Sequence, residues 1–117
     1  MSKKQNTIAQ KVYTMLLHTI PVLNRFPRNQ KFTLGDRIQH QLSDLLELYV
    51  HAYYAPKAEK KALLVQANIQ LEITRHYFRL GYDLGLYALA QYQYFAKALH
   101  EIGSMTGGWI KSIEDRN

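Results

Sequence analysis

The histidines are the residues of this chain best suited to proton transfer or metal binding, and each must be weighed against the carboxylates near it. They are His18, His40, His51, His76 and His100. The closest glutamate–histidine matches are Glu47…His51 and Glu72…His76, each one helical turn apart. An i, i+4 spacing puts acid and imidazole on one helix face. Di-metal bundles instead use Glu-x-x-His, with i and i+3 turned inward, and add carboxylates from facing helices. No extra inward carboxylates are apparent, so surface or hydrogen-bonded histidines explain the pattern better than a site does. Arg37-x-x-His40 and the adjacent Arg75-His76 also lack the wider arginine–histidine spacing of an RNase-type bundle. No HExxH, GxxxxGK[ST] or GxSxG occurs. With no cysteine there is no disulfide, zinc thiolate or cysteine nucleophile. The reading is of a non-enzyme with no catalytic residue, metal or cofactor.

Charge carries more information. The formal net charge is +6 and the pI about 9.6, which favours a polyanionic partner, RNA or DNA first. The excess is local. Lys3, Lys4, Lys11, Arg25, Arg28, Lys31 and Arg37 face Asp36 alone in the first third of the chain, and the remainder is nearly balanced. Arg25, Arg28, Lys31 and Arg37 surround one short connection, and Lys61, Arg75 and Arg79 share a helix edge. These seven are the candidate nucleic-acid contacts. Tyr53 and Tyr54, beside Lys57, Lys60 and Lys61, have the aromatic–basic interleaving that stacks on bases. Tyr49, Tyr87, Tyr92 and Tyr94, at helical spacing, read as core or interface instead.

The elements that position these residues are helices. Residues 1–6 read as a frayed basic tail. A first helix starts near Thr7, with Ile8, Val12, Met15, Leu16, Ile20 and Leu23 at helical spacing, a kink or end at Pro21, and closure at Phe26-Pro27. Thr33 reads as the N-cap of a second helix, from about Leu34 to Tyr54, with Ile38, Leu42, Leu45, Tyr49 and Ala52 as its seam. Ala55-Pro56 ends it. The third helix, Ala58 to Tyr82, has two apolar stripes. Ala62, Ile69, Ile73 and Leu80 form one, and Leu64, Ala67, Leu71 and Phe78 lie nearly opposite. A helix of a lone small bundle buries one stripe, so two stripes predict contact with a second copy of the chain. A fourth helix begins near Leu86 and carries a second apolar band of its own through Tyr87, Tyr94, Ala98, Met105 and Trp109. The expected oligomer interface is Leu64, Leu71, Phe78, Tyr87, Tyr94, Met105 and Trp109. Gly103, Gly107 and Gly108 predict close backbone approach or a break before Trp109; the chain from Glu114 reads as frayed.

Four helices with short connections give an all-α, antiparallel up-down four-helix bundle, a single domain over residues 1–117. No run of eighteen apolar residues spans a membrane. The MSKKQNT start lacks a signal-peptide core, so a cytoplasmic location is expected.

The segments FPRNQKFTLGDRI, AYYAPKAEKKALL and EIGSMTGGWIKS resemble the accessory variability determinant (Avd) proteins of diversity-generating retroelements. These belong with the four-helix-bundle proteins of ribosomal RNA intervening sequences. The resemblance covers about Tyr13 to Ser112 and offers no catalytic motif. It implies a homopentameric, barrel-like assembly with a basic surface. It also implies binding to the element's reverse transcriptase and to nucleic acid, in support of mutagenic cDNA synthesis. Arg28 and Lys31 match the family's basic junction. The alternative is a non-enzymatic interaction scaffold of the ribosomal RNA intervening-sequence type, whose charge is incidental.

Overall fold

The computed structural model describes residues 3–115. Four long helices are present: α1 (Lys3–Leu23), α2 (Asp36–Tyr54), α3 (Lys57–Asp83) and α4 (Leu89–Asp115). Each packs against its sequence neighbours, and α1 against α4 closes the ring. This is the expected up-down four-helix bundle, 49 × 23 × 20 Å in extent. Of the expected tails, residues 1–2 and 116–117 lie outside the described residues. The α1 backbone is helical from Lys3, before the expected Thr7, and α4 continues through Glu114 to Asp115.

The seam of α2 is as its spacing predicts. Ile38, Leu42, Leu45, Tyr49 and Ala52 are all fully buried. Tyr49 joins this seam to α4 through hydrogen bonds. Thr106 Oγ1 donates to the Ile102 carbonyl at 2.7 Å, so the Tyr49 hydroxyl is the donor in its 2.6 Å bond to Thr106. Burial pushes the Tyr49 phenol up to about 12, against the lowering effects of the Thr106 hydrogen bond and of Arg75.

Three local expectations change. Pro21 does not end α1, which runs two residues further, with the proline exposed in the last turn. Thr33 is not an N-cap. The helical path begins earlier, with a turn at Arg28–Gln30 after Pro27 and a π-helical turn at Lys31–Gly35; Thr33 Oγ1 instead donates back to the Asn29 carbonyl at 3.0 Å. The helix does not break at Gly107 and Gly108, which face open space.

The turn from α3 to α4 is a Schellman motif. Leu86 N–H reaches the Gly81 carbonyl at 3.0 Å and Gly85 N–H that of Tyr82 at 2.9 Å. Gly85 has φ +75°, a left-handed conformation that suits glycine. At the far end of the bundle, Lys60 Nζ donates to the Ala52 and Tyr53 carbonyls at 2.8 and 2.7 Å, which satisfies the C-terminus of α2.

Candidate nucleic-acid interface

The connection between α1 and α2 is held rigidly, and two aromatic rings do most of the holding. Phe26 is buried and lies 6.2 Å from Tyr87, ring centre to ring centre, in a stacked arrangement. Its other neighbour is Gly35, where an added Cβ would touch the ring at 3.6 Å. Tyr87 in turn donates its hydroxyl to the Phe78 carbonyl. Burial holds this phenol well above its ordinary range, so it stays a neutral donor. The ring leaves no room at Gly81, whose added Cβ would fall 2.7 Å from the Tyr87 oxygen. The FPR…K-F-x-L-G segment is thereby clamped onto the α3–α4 turn.

The π turn sets which way this clamped segment faces. Asp36 N–H bonds to the Lys31 carbonyl five residues back. In an uninterrupted α-helix Lys31, seven residues before buried Ile38, would fall on the core face. One extra residue in the turn rotates the preceding residues by about 100°. Lys31 is thereby turned off the core face and is half-buried, while Leu34 and Gly35, one turn before Ile38, are in the core and Phe32 is exposed.

Arg25, Arg28 and Arg37 are exposed and Lys31 is half-buried. None of the four forms an ion pair among the described residues. Lys31 Nζ lies 5.8 Å from the centre of the Phe32 ring and the Arg37 guanidinium 5.9 Å from that of Tyr77. Such contacts leave a cation's charge uncompensated.

The basic residues of α3 are disposed differently. Lys61 pairs with Glu114 at 2.8 Å, Arg75 with Glu72 at 3.0 Å and Arg79 with Asp83 at 3.5 Å. They also do not form one patch with the connection. Eighteen residues separate Lys61 from Arg79, about 27 Å along the helix, so Lys61 sits at the opposite end of the bundle. Arg79 shares the end that carries the connection. Arg75 lies between them and turns toward α4, where its Nη2 donates to the Leu99 carbonyl at 3.5 Å.

The histidine–acid pairs do not act together. His76 Nδ1 donates to the Glu72 carbonyl at 2.9 Å, while the Glu72 carboxylate goes to Arg75. His40 likewise bonds the Asp36 carbonyl at 2.8 Å. Among the described residues no three His, Asp or Glu side chains converge on a metal position. Glu101, in a groove between α1 and α4, accepts from Lys11 at 3.1 Å, and this bond and charge hold its carboxyl below the usual range.

The two stripes of α3 are both present, with roles reversed from those expected. Leu64, Leu71 and Phe78, expected at the oligomer interface, are buried in the protomer's own core, as is Trp109 of α4. A side chain already covered has no surface left for a second chain, which is why these four leave the interface. Tyr87 and Met105 are half-buried against the same core, and Tyr94 is partly exposed beside His18. The stripe left open is the other one. Ile69 is 58% exposed, with Ile73, Leu80 and Val65 each more than two-fifths exposed. Sequence reasoning missed Phe32, at 61% exposure; its place inside the basic segment was the available signal.

Among the described residues no helix is long and apolar enough to cross a membrane. No curated protein and no solved structure matches the chain. A family model described as bAvd-like matches residues 6–113, a span that includes the clamped connection, both stripes of α3 and the Gly103–Trp109 segment. The chain belongs to the bAvd-like family, that of the Avd-type accessory proteins of diversity-generating retroelements.

Proposed function

We propose that this protein is a nucleic-acid-binding, homo-oligomeric accessory subunit that works with the reverse transcriptase of a diversity-generating retroelement in cytoplasmic, mutagenic cDNA synthesis. The observation that carries the binding half of this reading is the end of the bundle at Arg25, Arg28, Lys31 and Arg37. There, cations without acidic partners among the described residues stand on or beside the connection that Phe26 and Tyr87 anchor. Cations already paired inside a protein give up those pairs to bind phosphate; these four do not. Arg79 is close enough to add to the patch, while Lys61 and Arg75 have structural duties. No helix presents a groove-reading motif, so the contacts are to phosphate and carry little sequence preference.

The open stripe at Ala62, Ile69, Ile73 and Leu80 supports self-association, since isolated apolar residues need no explanation but a contiguous exposed row does. The resemblance to Avd proteins implies five copies and the reverse transcriptase as partner. A ring would repeat the basic end around its axis and make a weak patch multivalent. Two measurements test the reading together. Light scattering should give several times 13.7 kDa, and affinity for a labelled duplex should fall steeply with salt. An oligomer whose binding ignores salt, or that binds no nucleic acid, would instead match the interaction scaffold.

A further inference from the structure

We propose that Phe32 is a stacking platform for an unpaired nucleobase, so that the basic end of the bundle prefers single-stranded to duplex nucleic acid. The inference rests on the nucleic-acid reading above and adds to it the class of strand. Phe32 is 61% exposed, although Leu34 and Gly35, two and three residues on, are buried. Six residues before buried Ile38, it stands off the core face of the helical path, and the Phe26–Gly35 contact anchors the segment. The ring is therefore held out to solvent on a stiff element.

Its surroundings define the ligand. Lys31 Nζ stands 5.8 Å from the ring centre, and Arg28 precedes Phe32 by one turn. A nucleotide whose base lies on the ring carries its phosphates into reach of these cations. This pairing of aromatic faces with backbone-tracking cations is how proteins hold single strands without regard to sequence. Bases inside a duplex are stacked on one another and cannot cover the ring without being extruded at a cost. The other aromatic–basic cluster is less suited. Tyr54 is 76% exposed but stands edge-on to Tyr53 at 4.9 Å. Of its neighbouring cations, Lys60 caps α2 and Lys61 pairs with Glu114.

The test is fluorescence anisotropy of the full chain with fluorescein-labelled oligo(dT), and with the same strand annealed to oligo(dA), at one salt concentration. The parent should bind the single strand more tightly. Phe32→Ala should weaken single-strand binding by about tenfold, in the range expected for one stacked base, and leave duplex binding unchanged. Phe32→Trp should keep or improve the single-strand preference, which a general loss of structure would not allow. Equal weakening on both probes, or no change on either while the parent still binds in a salt-dependent way, overturns the stacking role and leaves the phosphate-binding reading standing. If the parent binds neither probe, both fall.

Discussion

The Arg75 guanidinium fills the space that a side chain at position 103 would need. A Cβ built on Gly103 would come within 2.8 Å of Arg75 Nη2. Glu72 holds the same guanidinium on its other side. Arg75 is thus a strut between α3 and α4, which is why its charge does not extend the basic end of the bundle. The glycine is needed only to the degree that the guanidinium cannot move.

Two glycine substitutions should therefore differ. Gly103→Ala displaces only the tip of a long side chain, and alanine's better helix propensity, up to about 1 kcal/mol, offsets the lost contact. Its stability should match the parent within about 1 kcal/mol. Gly81→Ala meets the ring and hydroxyl of Tyr87 together, at 2.7–3.0 Å. Relieving that clash breaks the bond from Tyr87 to the Phe78 carbonyl and disturbs the Phe26 stack. It should cost about 1–3 kcal/mol despite the same propensity gain. Urea denaturation of both variants decides it; equal stabilities would mean that Tyr87 does not clamp the turn.

The buried Tyr49–Thr106 pair gives a pH signature. Tyr49 is held at about 12 by burial, against 10.0 when unburied. The folded state keeps this proton where the unfolded state has lost it, so the contribution is fully present below pH 10. It is lost as pH rises through about 12. The amount is roughly 2–3 kcal/mol at 1.36 per pKa unit. Tyr87, shifted the same way, steepens the fall. Tyr49→Phe should lower stability at neutral pH by about 1 kcal/mol and flatten the decline between pH 10 and 12. Denaturation midpoints across that window, parent against variant, provide the check; parallel curves would place the alkaline loss elsewhere.

Much of the fold is legible in the sequence because helices advertise their buried face. The four-and-three spacing of Ile38, Leu42, Leu45, Tyr49 and Ala52 picks out five side chains that are fully buried. Periodicity gives directions, however, and not neighbours. The stripes of α3 are similarly apolar, so spacing alone does not say which one meets the bundle. The same limit hid the ion pairs of Lys61, Arg75 and Arg79. Two of these partners, Glu72 and Asp83, stand within four residues, but Glu114 is on another helix. The π turn was not legible at all, since a single extra residue leaves no compositional mark. Without it, the turn of Lys31 off the core face is invisible.

The two stripes of α3 should separate by mutation. Ile69→Ser with Ile73→Ser removes exposed apolar surface and leaves the protomer core untouched. Helicity and chain stability should be preserved while the mass seen by light scattering falls toward 13.7 kDa. Trp109→Ala, at 4% exposure, should instead cost about 3–5 kcal/mol of protomer stability. An unchanged assembly in the double serine variant would place the oligomer contacts on another face.

The most direct measurement compares two pairs of charge removals in one titration. Arg28→Gln with Lys31→Gln removes two charges from the clamped connection, and Arg75→Gln with Arg79→Gln removes two from the α3 edge. Affinity for a labelled duplex is followed over a range of salt, where each lost phosphate contact reduces the slope by about 0.9. The connection pair should weaken binding at least about tenfold and flatten the slope by nearly two contacts. The α3 pair, whose charges already face Glu72 and Asp83, should change both much less. Equal losses from the two pairs, or a connection variant that binds like the parent at every salt concentration, would contradict the assignment of nucleic-acid binding to this end of the bundle.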